Sequence, residues 1–165
     1  QQHIPAGFHD NSKVWIYQSS RLFSISEALE LEKILNDFIS NWESHGSLIK
    51  GYASLFFGQF IVLMADDSSA RLCVSSADKS IRLIKEIEQK FNVDLLNRQS
   101  LGFIVKDKVE ILPLNQLNYA LENGFIDADT LYFNNLVTNK NMLLNDWLVP
   151  LKNSWLKTKL PNTAH

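Results

Sequence analysis

The sequence predicts an α+β fold, in which helices cover one face of an antiparallel sheet. Short apolar runs of strand length alternate with two longer stretches whose apolar residues recur every three or four positions. The first six predicted elements follow the order strand, helix, strand, strand, helix, strand, which is the split βαβ or ferredoxin-like order. We therefore expect a ferredoxin-like antiparallel sheet core, followed by a C-terminal β-α-β extension and an irregular tail that contains tryptophans.

Local signals define the first strand and the first helix. Residues 13–18 (KVWIYQ) are rich in β-branched and aromatic side chains, which favours a strand. Ser24 and Glu27 have the spacing of a capping box, so a helix begins just after Ser24. Gly46 is suited to end the helical region. One face of this helix carries an apolar stripe: Ala28, Leu31, Leu35, Phe38 and Trp42.

A hairpin and a second helix come next. Two apolar runs, 52–57 and 60–65, are separated only by Gly58 and Gln59. Glycine at the first position of a two-residue loop indicates a type II′ turn. The second amphipathic helix is predicted over 81–91. Its apolar face contains Ile81, Ile84, Ile87 and Phe91.

The remaining predicted elements are a second hairpin, a short helix and one more strand. The hairpin is expected at residues 101–105 and 109–112, the helix at 113–122 and the strand at 131–133. We assign no regular structure to residues 139–155. Because the run 60–65 is apolar throughout, both of its faces need a cover, and we expect the C-terminal segment to supply the second one.

Size and composition indicate one compact domain. The chain has 165 residues, of which 45% are hydrophobic and 11% aromatic, which is sufficient for a substantial core. We place a single α+β domain at 13–156, a flexible N-terminal arm at 1–12 and a flexible C-terminal tail at 157–165.

Charge and cysteine content exclude several classes of function. The net charge is −2, and the 16 basic and 18 acidic residues are interleaved, so no basic face for nucleic acid is visible. Cys73 is the single cysteine, which excludes an internal disulfide and argues against a cysteine-based zinc site. No apolar run approaches the roughly 18 residues that span a bilayer. We expect a cytoplasmic protein without membrane insertion.

The residues before the second predicted helix are the first candidate site. A helix N-terminus exposes unpaired N–H groups, which favours the binding of an anion. The anion- or ligand-binding candidates here are Arg71, Ser75, Ser76, Asp78, Lys79 and Ser80. Ordinary capping by Ser75 or Ser76, with Asp78 in the first turn, explains the same pattern.

Two further groups of polar residues are candidates. Asp66 and Asp67 end the most hydrophobic strand and could hold a divalent cation, although the same residues suit a turn. Asn134 and Asn135 follow the strand at 131–133. Their side chains could hydrogen-bond a polar ligand, or could bridge backbone groups. Cys73 lacks a base that the sequence places beside it, so we expect it to be inert. We predict no cofactor.

Several stretches resemble a known family. They are residues 14–18, 60–64, 78–80 with 84–86, 133–137, and 147–155. These stretches are similar to a family of short bacterial proteins that are often catalogued as ABC transporter ATPases. The resemblance implies an ATPase label, but a P-loop needs G-x-x-x-x-G-K-[ST]. The nearest match, at 46–51, is followed by Tyr52 and Ala53, so we expect no ATPase activity of the P-loop type.

These observations favour a non-enzymatic interaction or small-ligand-binding domain. The motivating observation is that no nucleophile with its base, no metal ligand set and no phosphate loop is visible in the spacing. The alternative is a metal-dependent nucleotide- or phosphate-binding protein or enzyme that uses Asp66, Asp67, Asp78 and Lys79. The partner, a protein or a small molecule, and the choice between monomer and homodimer stay open.

Overall fold

The structure is a computed structural model that describes residues 4–44, 46–66 and 74–160. Its strands are β1 (Lys13–Gln18), β2 (Glu43–Ser44), β3 (Ser47–Leu48), β4 (Lys50–Phe56), β5 (Phe60–Asp66), β6 (Ser100–Val105), β7 (Lys108–Pro113), β8 (Leu131–Phe133) and β9 (Leu148–Pro150). Its α-helices are α1 (Ile25–Asn41), α2 (Val74–Phe91), α3 (Leu117–Glu122) and α4 (Lys140–Asp146), with 3-10 turns at Leu114–Gln116, Leu151–Asn153 and Trp155–Lys159. The predicted α+β class is confirmed.

The strands form two antiparallel sheets and one small hairpin. The first sheet has the order β1-β5-β4, the second has the order β7-β6-β8-β9, and β2 pairs with β3. The ferredoxin-like sheet is not confirmed. Its first three strands lie in the expected order, but β6, which would be the fourth strand beside β1, pairs with β7 and β8 instead. Since a strand has two edges and both edges of β6 are occupied, β6 cannot also extend the first sheet.

Helix α1 forms as predicted and covers one face of the first sheet. The Ser24 hydroxyl accepts a hydrogen bond from the Glu27 N–H, and the Glu27 carboxylate accepts one from the Ser24 N–H, which completes the capping box. Leu31 and Leu35 are fully buried against Ile61 and Leu63 of β5. The predicted apolar stripe therefore faces the sheet.

Helix α2 begins at Val74, about two turns before the predicted start at Ile81. Residues 75–80 contain neither glycine nor proline, so nothing interrupts the helix there. Ile84, Ile87 and Phe91 are buried as predicted, whereas Ile81 is exposed. The early start places Ser75 and Ser76 in the first turn of the helix.

The C-terminal segment covers the second face of β5, as predicted. Phe60, Val62 and Met64 pack there against Phe133 and Trp147. The segment is not irregular, however, because it contains α4 and β9. The Asn139 side chain accepts a hydrogen bond from the Met142 N–H at 2.8 Å and caps α4, a signal that the sequence analysis missed.

Both predicted flexible ends contact the body of the molecule where they are described. In residues 4–12, Phe8 is buried in the same cluster as Trp147. The Lys140 N–H donates to the Ser12 carbonyl at 2.9 Å, which holds this segment against α4. At the other end, Leu160 packs against the core of the second sheet.

The turn between β4 and β5 differs from the predicted type II′ turn. The strands are joined by three residues, because Phe56 pairs with Phe60. The Gln59 N–H donates to the Phe56 carbonyl at 3.0 Å, and both central residues have positive φ, 55° at Phe57 and 66° at Gly58. This pattern is that of a type I′ turn. An aromatic residue at positive φ is uncommon, and here the Phe57 ring packs on Phe133.

We predict that Phe133→Ala lowers the free energy of unfolding by about 3–5 kcal/mol. Phe133 is buried, and its ring centroid lies 4.2 Å from that of Phe60 and 5.5 Å from that of Trp147, so truncation leaves a cavity beside β5. Urea unfolding measures the loss. Phe125→Ala, at a half-exposed position, is the matched control and should change the same quantity by less than ~1 kcal/mol. Equal losses in the two variants would contradict the assigned packing.

We predict that Glu27→Gln lowers stability only where Glu27 is ionised. The Arg21 guanidinium donates hydrogen bonds to both carboxylate oxygens of Glu27, at 2.8 and 2.9 Å, and the Ser24 N–H donates another. These bonds, first those from Arg21 and then that from Ser24, lower the pKa of Glu27 from 4.5 to about 2. The folded state therefore gains stability from ionised Glu27 above pH 4.5, and loses this gain as the pH falls toward 2. Unfolding curves of wild type and variant should separate at neutral pH and converge in acid. A gap that is independent of pH would refute the assignment.

Candidate functional site

The residues predicted around the start of α2 do not share one described surface. Arg71 and Cys73 lie outside the described residues. Asp78 and Lys79 are exposed, whereas Ser80 is buried and hydrogen-bonds to the Tyr17 side chain. Consecutive helical residues differ in direction by about 100°, which explains why these neighbours diverge once the helix includes them.

Lys79 lines a groove of about 420 Å³ between α1 and α2. Asp37, Arg82 and Glu86 line the same groove, so both signs of charge are present. A groove of mixed charge offers no net attraction to an anion. It therefore gives little support to a phosphate site at Lys79.

The predicted acidic pair is only half described. Asp66 is buried at the end of β5, opposite Lys50 of β4, while Asp67 lies outside the described residues. Within residues 4–44, 46–66 and 74–160, no group of three or more His, Cys, Asp or Glu side chains could hold a metal ion. The described part of the chain thus provides no support for the metal site.

Asn134 and Asn135 both bridge elements of the structure. The Asn134 N–H donates to the Trp147 carbonyl at 2.6 Å and ties the end of β8 to the end of α4. The Asn135 Oδ1 accepts from Trp147 Nε1 at 2.9 Å, and its Nδ2 donates to Gln18 Oε1 at 3.0 Å. Gln18 Nε2 in turn donates to the Ser100 carbonyl at 3.2 Å. This chain of hydrogen bonds joins the two sheets.

A cleft lies beside this bridge, between β1 and the start of β6. It consists of two cavities of about 120 and 200 Å³. The cavities adjoin, because four residues line both of them: Ile16, Arg98, Asn135 and Leu136. We call these two cavities together the β1 cleft. It occupies the position that the fourth strand of a ferredoxin-like sheet would fill.

The β1 cleft exists because the described residues close one edge of β1 only at its ends. The Val14 N–H donates to the Thr138 carbonyl at 3.0 Å, and the Ser20 N–H donates to the Asp94 carbonyl at 2.9 Å. Even-numbered residues of β1 therefore turn their N–H and C=O groups toward this edge, while odd-numbered residues pair with β5. Ile16 lies between the two closed ends, and no described residue hydrogen-bonds to its N–H or C=O.

Ile16 is a buried residue that lines both cavities. Only 5% of the surface of Ile16 is exposed. Buried backbone groups are almost always hydrogen-bonded, since an unmet bond costs about 1–3 kcal/mol. Ile16 is therefore one of the edge positions of the first sheet whose backbone groups have no described partner.

The charge of the β1 cleft comes from Arg98, an exposed arginine. Arg98 is the one charged side chain among the described residues that line the two cavities. None of the described carboxylates lies within ion-pair distance of it. Burial raises the pKa of the Tyr17 hydroxyl, and the positive charge of Arg98 partly offsets that rise, so the charge acts on the groups around the cleft.

An apolar rim borders the first cavity. Trp155 and Leu136 are 47% and 58% exposed there. Trp155 Nε1 donates to the Tyr132 hydroxyl at 3.0 Å, which fixes the orientation of the indole ring. Burial raises the pKa of Tyr132, so this hydroxyl stays protonated at neutral pH.

No protein-family model, curated protein or solved structure matches the chain. The resemblance to the family catalogued as ABC transporter ATPases therefore stays a prediction. Across the part of the chain that the structure describes, no helix has both the length and the apolarity to cross a membrane.

The sequence analysis identified Asn135 but missed Arg98 and Ile16. Arg98 is a single arginine in a loop, with no motif around it. Ile16 contributes its backbone N–H and C=O, and the residue type does not show whether these groups are paired. The relevant signal lies in the pairing of β6 with β7 and β8, which exposes the edge of β1.

We predict that Gln18→Ala lowers the free energy of unfolding by about 1–3 kcal/mol, because Ser100 and Asn135 lose a hydrogen-bond partner between the sheets. Chemical denaturation measures this change. Gln99→Ala removes an exposed glutamine whose side chain has no hydrogen bond to a described residue, and should stay within about 0.5 kcal/mol of wild type. A Gln18 variant as stable as the Gln99 variant would show that the bridge does not join the sheets.

Proposed function

We propose that this protein is a non-enzymatic binding module that holds a small anionic ligand in the β1 cleft. The observation that carries the proposal is that Arg98 lines both cavities without an opposing described carboxylate. A guanidinium binds carboxylate or phosphate through two parallel hydrogen bonds. An anion that enters the cleft forms these bonds without displacing a described carboxylate.

The polar and apolar groups around Arg98 support a small organic anion. Asn97 and Ser100 line the first cavity and provide neutral hydrogen-bonding groups, while Leu136 and Trp155 provide apolar contact. The two cavities together reach the lower end of the ~300–1,000 Å³ range of ligand pockets. The ligand is therefore of metabolite size.

The lining of the cleft favours binding over catalysis. Neither cavity is lined by a described His, Cys, Lys, Asp or Glu. General acid–base catalysis needs a group whose pKa lies near the working pH. The raised pKa values of Tyr17 and Tyr132 move these hydroxyls further from that range.

Thermal unfolding with small anions tests the proposal. Acetate, benzoate, succinate and inorganic phosphate serve as probes, and the variant Arg98→Gln is compared with Arg82→Gln, an exposed arginine of α2 outside the cleft. At a concentration of about 100 Kd, a bound probe should stabilise wild type and Arg82→Gln by roughly 2.7 kcal/mol, and should not stabilise Arg98→Gln.

The salt dependence of the same shift provides an internal check. Added sodium chloride should reduce the shift, because ions screen an exposed charge such as that of Arg98. A shift that persists in Arg98→Gln would place the anion elsewhere. The absence of a shift with all four probes would count against a site for small anions.

A further inference from the structure

We infer that the ligand of the β1 cleft is an amide-linked carboxylate, the group found in an N-acylated amino acid and at the C-terminus of a peptide. The N–H of its amide donates to the Ile16 C=O at the open edge of β1, and its carboxylate accepts from the Ile16 N–H and from Arg98. The inference rests on the proposed function and specifies the ligand class of the same site.

The backbone of Ile16 defines the amide half of the ligand. Its N–H and C=O both point to the free edge of β1, and none of the described residues pairs with either group. In an antiparallel pair, one residue exchanges both N–H···O=C bonds with the residue opposite. A ligand residue whose amide N–H and terminal carboxylate flank the same Cα atom therefore satisfies both groups of Ile16, because these two groups point to the same side of an extended chain. A simple anion satisfies at most the N–H.

The closed ends of the edge set the length of the ligand. Thr138 occupies the edge at Val14, and Asp94 occupies it at Ser20. Between these two closed ends, the Gln18 side chain extends from β1 to Ser100 and Asn135 through its hydrogen bonds. Residues on one side of a strand repeat at about 6.8 Å, so the open window holds one or two residues rather than a long strand.

The charge of Arg98 decides which end of a peptide enters. Because the window is short, a bound chain must end inside the cleft. A guanidinium attracts a terminal carboxylate and repels a terminal ammonium group. Leu136 and Trp155 at the rim offer contact to an apolar side chain of the terminal residue. An N-acylated apolar amino acid combines these features.

A set of four probes tests the inference by calorimetric titration of the full chain. N-acetyl-leucine carries all of the expected groups, N-acetyl-N-methyl-leucine lacks the amide donor, and N-acetyl-leucinamide lacks the carboxylate. Acetyl-Ala-Ala-Leu distinguishes a peptide C-terminus from a free N-acyl amino acid. We expect N-acetyl-leucine to bind, and we expect either single change to weaken binding at least tenfold.

The variant Arg98→Gln separates the two halves of the ligand. It should bind N-acetyl-leucine and N-acetyl-leucinamide equally weakly, yet still prefer each of them to an N-methylated counterpart. In wild type, amide hydrogen exchange at Ile16 should slow on binding, since its N–H becomes hydrogen-bonded. Arg82→Gln should behave as wild type.

The possible failures are distinguishable. Equal affinity for N-acetyl-leucine and its N-methyl analogue, with dependence on Arg98 retained, would overturn the amide pairing and leave the anion site intact. If none of the probes, including benzoate and phosphate, bound in an Arg98-dependent way, the proposed function itself would fail. Tight binding of acetyl-Ala-Ala-Leu would assign the site to peptide C-termini, and its exclusion would assign the site to free N-acyl amino acids.

Discussion

The complete burial of β5 is the constraint on which the rest of the structure depends. The residues from Phe60 to Ala65 have no exposed surface, although alternate side chains point to opposite faces. A strand of this kind is stable only between two apolar layers. Helices α1 and α2 form one layer, and Phe133, Trp147 and their neighbours form the other.

The second layer explains why the first sheet stops at three strands. Phe133 belongs to β8, which lies beside β6 in the second sheet. To bring Phe133 onto β5, the chain builds the second sheet on that face, and β6 becomes its interior strand. The edge of β1 is left without a strand partner between its two ends. The β1 cleft is therefore a consequence of how the chain covers β5.

Sequence patterns predicted the parts of the fold that depend on local signals. The capping box at Ser24, the apolar stripe of α1 and the need for a cover over β5 were all visible in residue type and spacing. Strand partners were not, because β6 is apolar enough to pair in either sheet and its choice depends on contacts distant in sequence. The start of α2 was also misjudged, since hydroxyl residues are compatible both with a cap and with a first turn. Among the candidate residues that the structure describes, Asn135 is the one that lines the cleft, beside a backbone edge and a loop arginine that the sequence did not single out.

The two outer edges of the first sheet lie beside side chains of opposite charge. This difference indicates whether the opening at Ile16 is a gap in pairing or a place for a ligand. On β4, the Glu32 carboxylate accepts hydrogen bonds from the Leu55 N–H at 2.9 Å and from the Ser54 hydroxyl at 3.2 Å, so a side chain of α1 satisfies one backbone N–H of that edge. Edge strands are commonly protected in this way against pairing with other chains. On β1, Arg98 is the one charged side chain among the described residues that line the gap, and it makes no hydrogen bond to a described residue. The guanidinium of Arg98 and the N–H and C=O of Ile16, none of them bonded to a described residue, match the polar groups of a carboxylate attached to an amide. The two edges therefore differ in charge, since an acidic side chain of α1 is bonded to β4 and an arginine without a described partner lies beside β1.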